Sequence, residues 1–342
     1  PAFGPNRALH VSKVVMLKLP NDGALQGTPL DDELAGDGGP GAIILAIAHA
    51  VPALARRLAA GRLPGDPAMV VGLNDSGDRQ KAIDVAAHVH MAAALRAAGV
   101  RRMLSEEAAE VEELNAEGAW DVAIDPIDGS GSIGIGAPLG VLFSILPASP
   151  EGFLRSGRDV TAAGYVSFGH SCDFGFSLGQ GVTVATFDAE AGLFRVVRRE
   201  VRLGPDADTI AFNGSNTRHW PDGLQRYAHA VLSGRDGVLG RDFNMRWLAA
   251  AVGELHRILL LGGMFMYPAD RRPGYEQGRL RLVYEAVPIA FLIEQAGGEA
   301  TDGLTAILDK VPGSLHENTP LYFGARNDVR LAGRYLTGSG KG

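Results

Sequence analysis

The spacing of apolar residues predicts a long helix early in the chain, followed by a loop. Apolar side chains recur at helical intervals from Pro40 or Gly41 to Ala60. Proline suits the first turn of a helix, and Gly61 can take the left-handed conformation that often follows a helix end. Residues 62–77 are rich in proline, glycine and aspartate, which predicts a mobile loop.

A second helix and a series of strands are predicted next. Asp78 should cap an alanine-rich helix that runs to Ala98. Two buried strands follow, Val100–Leu104 and Trp120–Ile124, and each leads directly into acidic residues. The segment Leu139–Val201 alternates strand-like apolar runs with turn residues, so it should form several consecutive strands.

Helices and strands alternate again beyond residue 205. Helices are predicted at Arg246–Leu261 and Pro288–Ala296, the second with proline in its first turn. The turn-rich segment Leu203–Asp208 is the best candidate for a boundary, which divides the chain into residues 1–205 and 206–342. These elements predict an α/β protein with two halves.

Composition and charge limit the class of protein. The 342 residues include 32 lysines and arginines against 39 aspartates and glutamates, a net charge of −7. That balance argues against a broad basic surface, so no nucleic acid partner is expected. Cys172 is the only cysteine, which excludes an intramolecular disulfide and a cysteine zinc site, and we expect an inert core thiol.

The longest apolar stretch, Ala42–Ala55, is too short to cross a bilayer, and no targeting signal is evident. We therefore expect a soluble, cytoplasmic protein with no membrane partner.

The strongest candidate for chemistry is the sequence AIDPIDGS at residues 123–130. A buried strand carries Asp125, and Asp128 follows three residues later. Gly129 can adopt a conformation that brings backbone N–H groups close to a ligand, and Ser130 adds a hydroxyl. Two carboxylates beside such a cradle suit a hard cation, such as Mg²⁺, that is shared with a substrate phosphate. The alternative is a structural turn with a capping aspartate.

Two adjacent glutamates follow the first of the two buried strands. Because neighbouring strands can end at one edge of a sheet, where α/β proteins commonly bind ligands, Glu106 and Glu107 should lie close to AIDPIDGS. The alternative is a solvated surface pair. Solvated surface is also our expectation for the acidic runs Glu110–Glu113 and Asp31–Glu33.

A third acidic position ends the strand-like run LRLVYE. Alternation along an extended strand would place Arg279, Arg281 and Glu285 on one face. Arginine forks could then grip a phosphate while the carboxylate holds a cation. A structural ion pair is the alternative.

Five segments together resemble the class 1 fructose-1,6-bisphosphatase family. In chain order they are GDRQKAID (77–84), LSEE (104–107), AIDPIDGS (123–130), RW…ELHRILLLGGMFMYPAD (246–270) and GRLRLVYEAVPIAFLIEQAGGEATDG (278–303). The last two discriminate best, since inositol monophosphatases and related phosphatases share the aspartate motif. The resemblance implies a layered α/β/α/β/α fold with two mixed sheets between helices. It also implies an N-terminal half of allosteric type that carries the metal motifs and a C-terminal half that binds the sugar phosphate.

The resemblance further implies hydrolysis of the 1-phosphate of fructose 1,6-bisphosphate with two or three Mg²⁺ ions, for which Mn²⁺ can substitute. The implied metal ligands are Glu106, Glu107, Asp125, the carbonyl of Ile127, Asp128 and Glu285. Glu107 would also be the base that activates water, supported by Asp84 and Asp78. The implied substrate contacts are Asp128, Gly129, Ser130, Gly131 and Arg279 at the 1-phosphate, and Asn213, Arg246, Trp247 and Tyr267 at the 6-phosphate end. Arg246 would reach in from a neighbouring subunit of a homotetramer.

Several positions depart from the family pattern. DGSGS stands at 128–132 where the family usually has DGSSN, and Asn216 and Trp247 occupy two common tyrosine positions. The sequence therefore leaves open whether the substrate is fructose or sedoheptulose bisphosphate, an inositol phosphate or a nucleotide phosphate. It also leaves open a gluconeogenic or a Calvin-cycle role. A catalytically silent ligand-binding regulator is the least favoured alternative.

The AMP site of the family is eroded in this chain. At Pro40–Ile44 no hydroxyl or carboxylate is present to hold a nucleotide, and Ala119–Trp120 replaces a lysine–tyrosine pair. We therefore expect AMP inhibition to be weak or absent.

Overall fold

Two sheets of unequal size organise the chain in the computed structural model, which describes residues 25–73 and 79–339. The helices are α1 (Leu30–Glu33), α2 (Pro40–Ala59), α3 (Ala82–Ala97), α4 (Asp222–Leu232), α5 (Ala251–Leu261), α6 (Val287–Gln295) and α7 (Arg326–Leu336). The strands are β1 (Thr28–Pro29), β2 (Val70–Leu73), β3 (Arg79–Lys81), β4 (Arg102–Ser105), β5 (Glu112–Glu113), β6 (Trp120–Asp128), β7 (Leu139–Pro147), β8 (Ala162–Phe168), β9 (Cys172–Ser177), β10 (Val182–Asp188), β11 (Leu193–Val201), β12 (Thr209–Ala211), β13 (Asn244–Met245), β14 (Met264–Tyr267), β15 (Leu280–Arg281), β16 (Glu299–Thr301), β17 (Asn318–Thr319) and β18 (Leu321–Gly324).

Both sheets are mixed. The nine-stranded sheet has the order β1-β11-β10-β9-β8-β7-β6-β4-β5, with β4 and β6 parallel and β6 and β7 antiparallel. The five-stranded sheet has the order β13-β12-β14-β18-β16, with β12 and β14 parallel and β14 and β18 antiparallel. The pairs β2–β3 and β15–β17 form separate two-stranded ribbons.

Helices fill the space around and between the sheets. Helices α2 and α3 pack on one face of the large sheet, where Ile47, Val51 and Met91 are buried. Helices α5 and α6 lie between the two sheets, because their apolar residues share one core with residues of β7, β14 and β18. Helices α4 and α7 cover the outer face of the small sheet. The layers are therefore α/β/α/β/α, which confirms the predicted fold class.

The prediction of a loop at 62–77 is wrong for part of that segment. Val70–Leu73 forms strand β2, which pairs with β3 in a hairpin. Residues 74–78, including the predicted cap Asp78, lie outside the described residues. Helix α3 begins only at Ala82, because the Asp84 carboxylate accepts the backbone N–H of Lys81 at 3.0 Å and so closes the first turn.

The helix predicted at Arg246–Leu261 is also shorter than expected. It begins at Ala251, and Ala249 before it has a left-handed φ of 59°. The Glu254 carboxylate accepts the backbone N–H of Leu248 at 2.7 Å. An acidic side chain inside the helix thus provides the hydrogen-bond partner for a backbone N–H in the segment that leads into the helix. The last predicted helix begins one residue early, at Val287, and ends at Gln295.

Helix α2 contradicts the expectation that no segment is long enough to cross a bilayer. With 20 residues and a mean hydropathy of 1.5, it is long and apolar enough to cross a bilayer. It is the single such helix among the residues described. Within the fold, Ile44, Ile47 and Val51 of this helix are buried in the core beside α3 and the large sheet. The packing therefore accounts for its apolar face.

Candidate active site

The two acidic motifs meet at one edge of the large sheet, as the sequence predicted. Strands β4 and β6 are parallel neighbours, with Ser105 beside Ile124. Glu106 and Glu107 follow β4 directly, and the last residues of β6 carry Asp125 and Asp128. Parallel strands present their carboxyl ends at the same edge.

Glu285 joins these aspartates from the other half of the chain. One carboxylate oxygen from each of Asp125, Asp128 and Glu285 lies within 4.8 Å of the other two, and all three side chains are buried. Asp125 Oδ1 accepts the backbone N–H of Ile127 at 2.9 Å. Asp128 Oδ2 accepts the N–H of Val252 at 2.7 Å, which ties the start of α5 to the cluster.

The electrostatics of the cluster fit a hard cation. Burial raises the pKa of Glu106 to about 8, and repulsion from Glu107 is the second largest cause of this shift. Burial and repulsion from Glu106 raise the pKa values of Asp125 and Glu285 well above their usual range. Burial also raises the pKa of Asp128. Carboxylates gathered in this way ionise together only when positive charge compensates them, and their oxygens are the donors that Mg²⁺ prefers.

The segment around Glu285 corrects the predicted strand face. Only Leu280–Arg281 is extended, and Leu282–Ala286 forms a π-helical turn. Arg279, Arg281 and Glu285 therefore do not share the face of one strand, and that prediction was wrong. Instead the Glu285 carboxylate folds back and accepts the backbone N–H of Arg281. Such turns are frequent at functional sites.

Glu107 is held by a side chain that the sequence did not single out. Gln80, on β3, donates from Nε2 to Glu107 Oε2 at 2.7 Å and to the Glu107 carbonyl at 3.2 Å.

Asp84 lies close enough to Glu107 that the Glu107 charge helps to raise the pKa of Asp84. Burial is the larger cause, and the pKa of Asp84 reaches about 6. Among the described residues, Asp84 Oδ1 finds no hydrogen-bond partner although it is buried. An acid with a free buried oxygen and this pKa can exchange a proton near neutral pH.

The loop after Asp128 has the conformation that its glycine allows. Gly129 has a φ of +79°, and Ser130–Ser132 forms a short 3₁₀ turn. A Cβ at Gly129 would lie only 2.8 Å from the Cβ of Ala250. The Lys81 ammonium donates to the Ser130 carbonyl, so the β2–β3 hairpin contacts this loop as well as Glu107.

Two of the residues expected at the 6-phosphate end, Trp247 and Tyr267, form an aromatic wall with Phe265, and Arg279, which was expected at the 1-phosphate, lies close to Tyr267. Trp247 stacks on Phe265 with ring centroids 5.7 Å apart and meets Tyr267 edge-on at 6.2 Å. Burial raises the pKa of Tyr267, and Arg279 opposes that shift. The guanidinium of Arg279 lies 5.1 Å from the Tyr275 ring.

The other two expected residues have partners of their own. The Asn213 side chain accepts the backbone N–H of Ser215 at 3.1 Å. Arg246 is exposed and donates to the Asn244 side chain at 2.9 Å and to the Met245 carbonyl at 3.0 Å.

Two histidines that were assigned no functional role from the sequence lie beside the glutamates. His88 Nδ1 lies 2.9 Å from Ser105 Oγ, which in turn accepts the backbone N–H of Glu107 at 3.3 Å. His88 Nε2 lies 2.8 Å from Glu112, so the expectation that Glu110–Glu113 is only solvated surface was wrong at Glu112. His316 bridges Tyr284 and Ala109. The position of His88 one helical turn after Asp84 was a usable signal, whereas His316 stood in no motif.

Cys172 is half-buried at the edge of a core rather than within it. Burial raises the pKa of its thiol to about 12. A thiol that stays protonated is a poor nucleophile, which agrees with the expected inert role.

A layered α/β fold, a buried carboxylate cluster at a sheet edge and a glycine loop beside it define a metal-dependent hydrolase of phosphate esters. Two family models extend this result, because "Fructose-1-6-bisphosphatase, N-terminal domain" matches residues 43–199 and the corresponding C-terminal domain matches residues 203–337. The chain belongs to the class 1 fructose-1,6-bisphosphatase family.

Similar proteins support the same family. A class 1 fructose-1,6-bisphosphatase of Brucella anthropi is 53% identical over 294 residues, which is 86% of each chain. Another, from Brucella suis, is 51% identical over 311 residues, which is 89% of this chain and 92% of the relative. The crystal structure of Leishmania major fructose-1,6-bisphosphatase in holo form has a TM-score of 0.85 at 26% identity, covering 92% of this chain and 100% of that one.

Proposed function

We propose that this chain hydrolyses the 1-phosphate of fructose 1,6-bisphosphate to give fructose 6-phosphate and inorganic phosphate. The observation that carries the proposal is the buried cluster of Asp125, Asp128 and Glu285, with ligand atoms within 4.8 Å of one another. Its position beside the Gly129 loop supports a site in which the carboxylates and a substrate phosphate share a cation.

The cation is Mg²⁺, bound as two or three ions, with Mn²⁺ able to substitute. The proposed ligands are the carboxylates of Glu106, Glu107, Asp125, Asp128 and Glu285 and the carbonyl of Ile127. When bound, Mg²⁺ supplies a Lewis acid that neutralises charge on the phosphate and favours departure of the sugar oxygen.

Glu107 is the base that takes the proton from the attacking water. Gln80 fixes the orientation of its carboxylate by the 2.7 Å hydrogen bond to Oε2. Asp84, with a pKa of about 6, is available to accept or return that proton. Asp78 is proposed to assist this proton transfer as well, and it lies outside the described residues.

The substrate is held at both ends. Asp128 and the backbone of Gly129, Ser130 and Gly131 receive the 1-phosphate, with Arg279 nearby. Asn213, Arg246, Trp247 and Tyr267 hold the 6-phosphate end. The indole N–H of Trp247 can donate a hydrogen bond there, although it lacks a phenolic hydroxyl.

A substrate panel tests this function. Phosphate release should require Mg²⁺, and kcat/KM should be higher for fructose 1,6-bisphosphate than for sedoheptulose bisphosphate, inositol phosphates and nucleotide phosphates. A higher value for an inositol phosphate would overturn the assignment, and no release from any substrate would favour a silent regulator.

The role of Glu107 has its own test. Glu107→Gln should retain substrate binding and lower kcat by about 10²-fold or more, the usual contribution of a positioned base. Glu110→Gln makes the same chemical change at an exposed position three residues further on and should leave kcat unchanged. An unchanged kcat in Glu107→Gln would remove Glu107 from the role of base.

We extend the proposal to the assembly. The enzyme is a cytoplasmic homotetramer, with no nucleic acid or membrane partner, and Arg246 of one subunit completes the site of the next. The boundary at Leu203–Asp208 separates the half that carries the DPIDGS and SEE metal motifs, 1–205, from the half that binds the sugar phosphate, 206–342. Sedimentation should give the mass of four chains, and Arg246→Ala should raise KM for the bisphosphate.

A further inference from the structure

We propose that His316 is a positioning residue that sets the distance between two parts of the proposed metal site, the pair Glu106–Glu107 and Glu285. Glu106 and Glu107 follow β4 in the N-terminal half, whereas Glu285 lies in the π-helical turn of the C-terminal half. The inference rests on the proposed function, because it concerns the affinity of that site for Mg²⁺.

Both ring nitrogens of His316 have partners. Nε2 lies 3.0 Å from the carbonyl of Ala109, and Nδ1 lies 2.9 Å from the hydroxyl of Tyr284. A carbonyl only accepts, so Nε2 carries the proton and donates to Ala109. In the neutral ring Nδ1 then accepts the hydroxyl proton of Tyr284.

Each partner belongs to a segment that carries proposed metal ligands. Ala109 stands two residues after Glu107, and Tyr284 directly precedes Glu285. Tyr284 is fully buried, so its hydroxyl has little freedom to find another partner. His316 therefore joins the two segments through 2.9 and 3.0 Å hydrogen bonds.

The segment around His316 is itself anchored to the π-helical turn. The backbone N–H of Leu282 donates to the Glu317 carbonyl at 2.8 Å, and Arg281 Nη1 donates to Asn318 Oδ1 at 2.8 Å. The imidazole thus moves together with the segment of Glu285, and its bond to Ala109 transmits that position to the glutamates.

His88 supports the segment of Glu106 and Glu107 in a different way. It contacts Ser105 from α3 and is paired with Glu112, so all three of these residues belong to the N-terminal half. Loss of His88 would loosen the segment of Glu106 and Glu107 without changing its connection to Glu285. Of these two histidines, only His316 connects the two segments.

The test is Mg²⁺ binding to the full chain, measured by titration calorimetry and by the rise in Tm on adding Mg²⁺. His316→Leu removes both hydrogen bonds and should weaken Mg²⁺ binding about tenfold, the low end for residues that orient metal ligands. KM for the bisphosphate at saturating Mg²⁺ should stay within about twofold, since the phosphate contacts remain. His316→Gln keeps an amide N–H and a carbonyl oxygen and should restore most of the affinity.

Two further variants separate positioning from general stability. His90 Nε2 contacts the Ala50 carbonyl at 3.0 Å between α3 and α2, so His90→Leu removes a similar bond that joins neither of the two glutamate segments and should leave Mg²⁺ affinity unchanged. Tyr284→Phe removes one hydroxyl and should weaken Mg²⁺ binding, with no additional loss when combined with His316→Leu.

The outcomes distinguish this inference from the proposed function. If the wild-type chain neither binds Mg²⁺ nor requires it, the proposed function fails. If the wild type depends on Mg²⁺ but His316→Leu behaves like His90→Leu, the positioning role is overturned. Should His316→Leu fail to fold, Tyr284→Phe decides, and an unchanged Mg²⁺ affinity in that variant overturns the inference.

Discussion

The side-chain amide of Gln80 hydrogen-bonds both the carboxylate and the carbonyl of Glu107, at 2.7 and 3.2 Å. This contact links the β2–β3 hairpin to the proposed base across 27 residues of sequence. The neighbouring Lys81 contacts the Ser130 carbonyl, so the hairpin contacts both the base and the phosphate loop.

Removing the Gln80 amide should slow catalysis more than it weakens substrate binding. Hydrogen bonds to charged groups contribute about 1.5–3 kcal/mol, so Gln80→Leu should lower kcat by about tenfold or more. KM should change little, because Gln80 contacts the base and not the phosphate loop. Steady-state kinetics at saturating Mg²⁺ measures both quantities.

Gln225 provides a matched control for that variant. Its Nε2 donates to the Trp220 carbonyl at 2.9 Å on α4, remote from the carboxylates. Gln225→Leu should leave kcat unchanged. Equal losses of kcat in the two variants would show that the Gln80 effect is one of general stability.

The metal-free protein should lose stability as pH rises. The pKa of Glu106 is raised from 4.5 to about 8, so the folded state binds more protons than the unfolded state between these values. The stability that the protonated group contributes is complete below pH 4.5 and is lost as pH rises through 8. Tm without metal should therefore fall over this range, and Mg²⁺ should raise Tm more at pH 8 than at pH 6.

Glu106→Gln supplies the control for this pH dependence. The amide cannot ionise, so the fall in Tm should become smaller in the metal-free protein. A wild-type Tm that rises with pH between 5 and 8 would contradict the argument.

A methyl group at Gly129 should damage the site more than one at Gly136. Both glycines have left-handed φ values, +79° and +73°, so alanine costs about 1–2 kcal/mol of backbone strain at either position. Only at Gly129 does the new Cβ meet another atom, the Cβ of Ala250 at 2.8 Å, whereas nothing lies within 4 Å at Gly136. Gly129→Ala should therefore lower both Tm and kcat/KM further than Gly136→Ala. Equal effects on kcat/KM would argue against a close approach at Gly129.

AMP should inhibit weakly or not at all. The Trp120 ring would lie 3.4 Å from a Cβ at Gly39, so an indole occupies the start of α2, where nucleotide-binding groups are missing. Phosphate release measured with increasing AMP checks this expectation. Inhibition by micromolar AMP that Ala119→Lys leaves unchanged would contradict it.

Much of the architecture and half of the site could be predicted from local sequence. The strand that carries Asp125 and the strand before Glu106 were recognisable because apolar runs end at acidic residues, and parallel pairing then brings the ends together. Gly129 was recognisable because few other residues accept its φ. These features depend on neighbours in the sequence.

The tertiary structure decided the remainder. The alternating residues of LRLVYE suit a strand. In the structure, however, Tyr284 forms a hydrogen bond with His316, and the Glu285 carboxylate accepts the backbone N–H of Arg281. These contacts stabilise a π-helical turn instead of a strand. The contact between His316 and Ala109 spans 207 residues. Hydrophobic periodicity and turn chemistry are properties of adjacent residues, so the sequence by itself determined the α/β class, most of its helices and strands, and the acidic motifs. Contacts between distant side chains form only when those elements pack into layers, and that packing positions Gln80, Glu285 and His316 around the carboxylates.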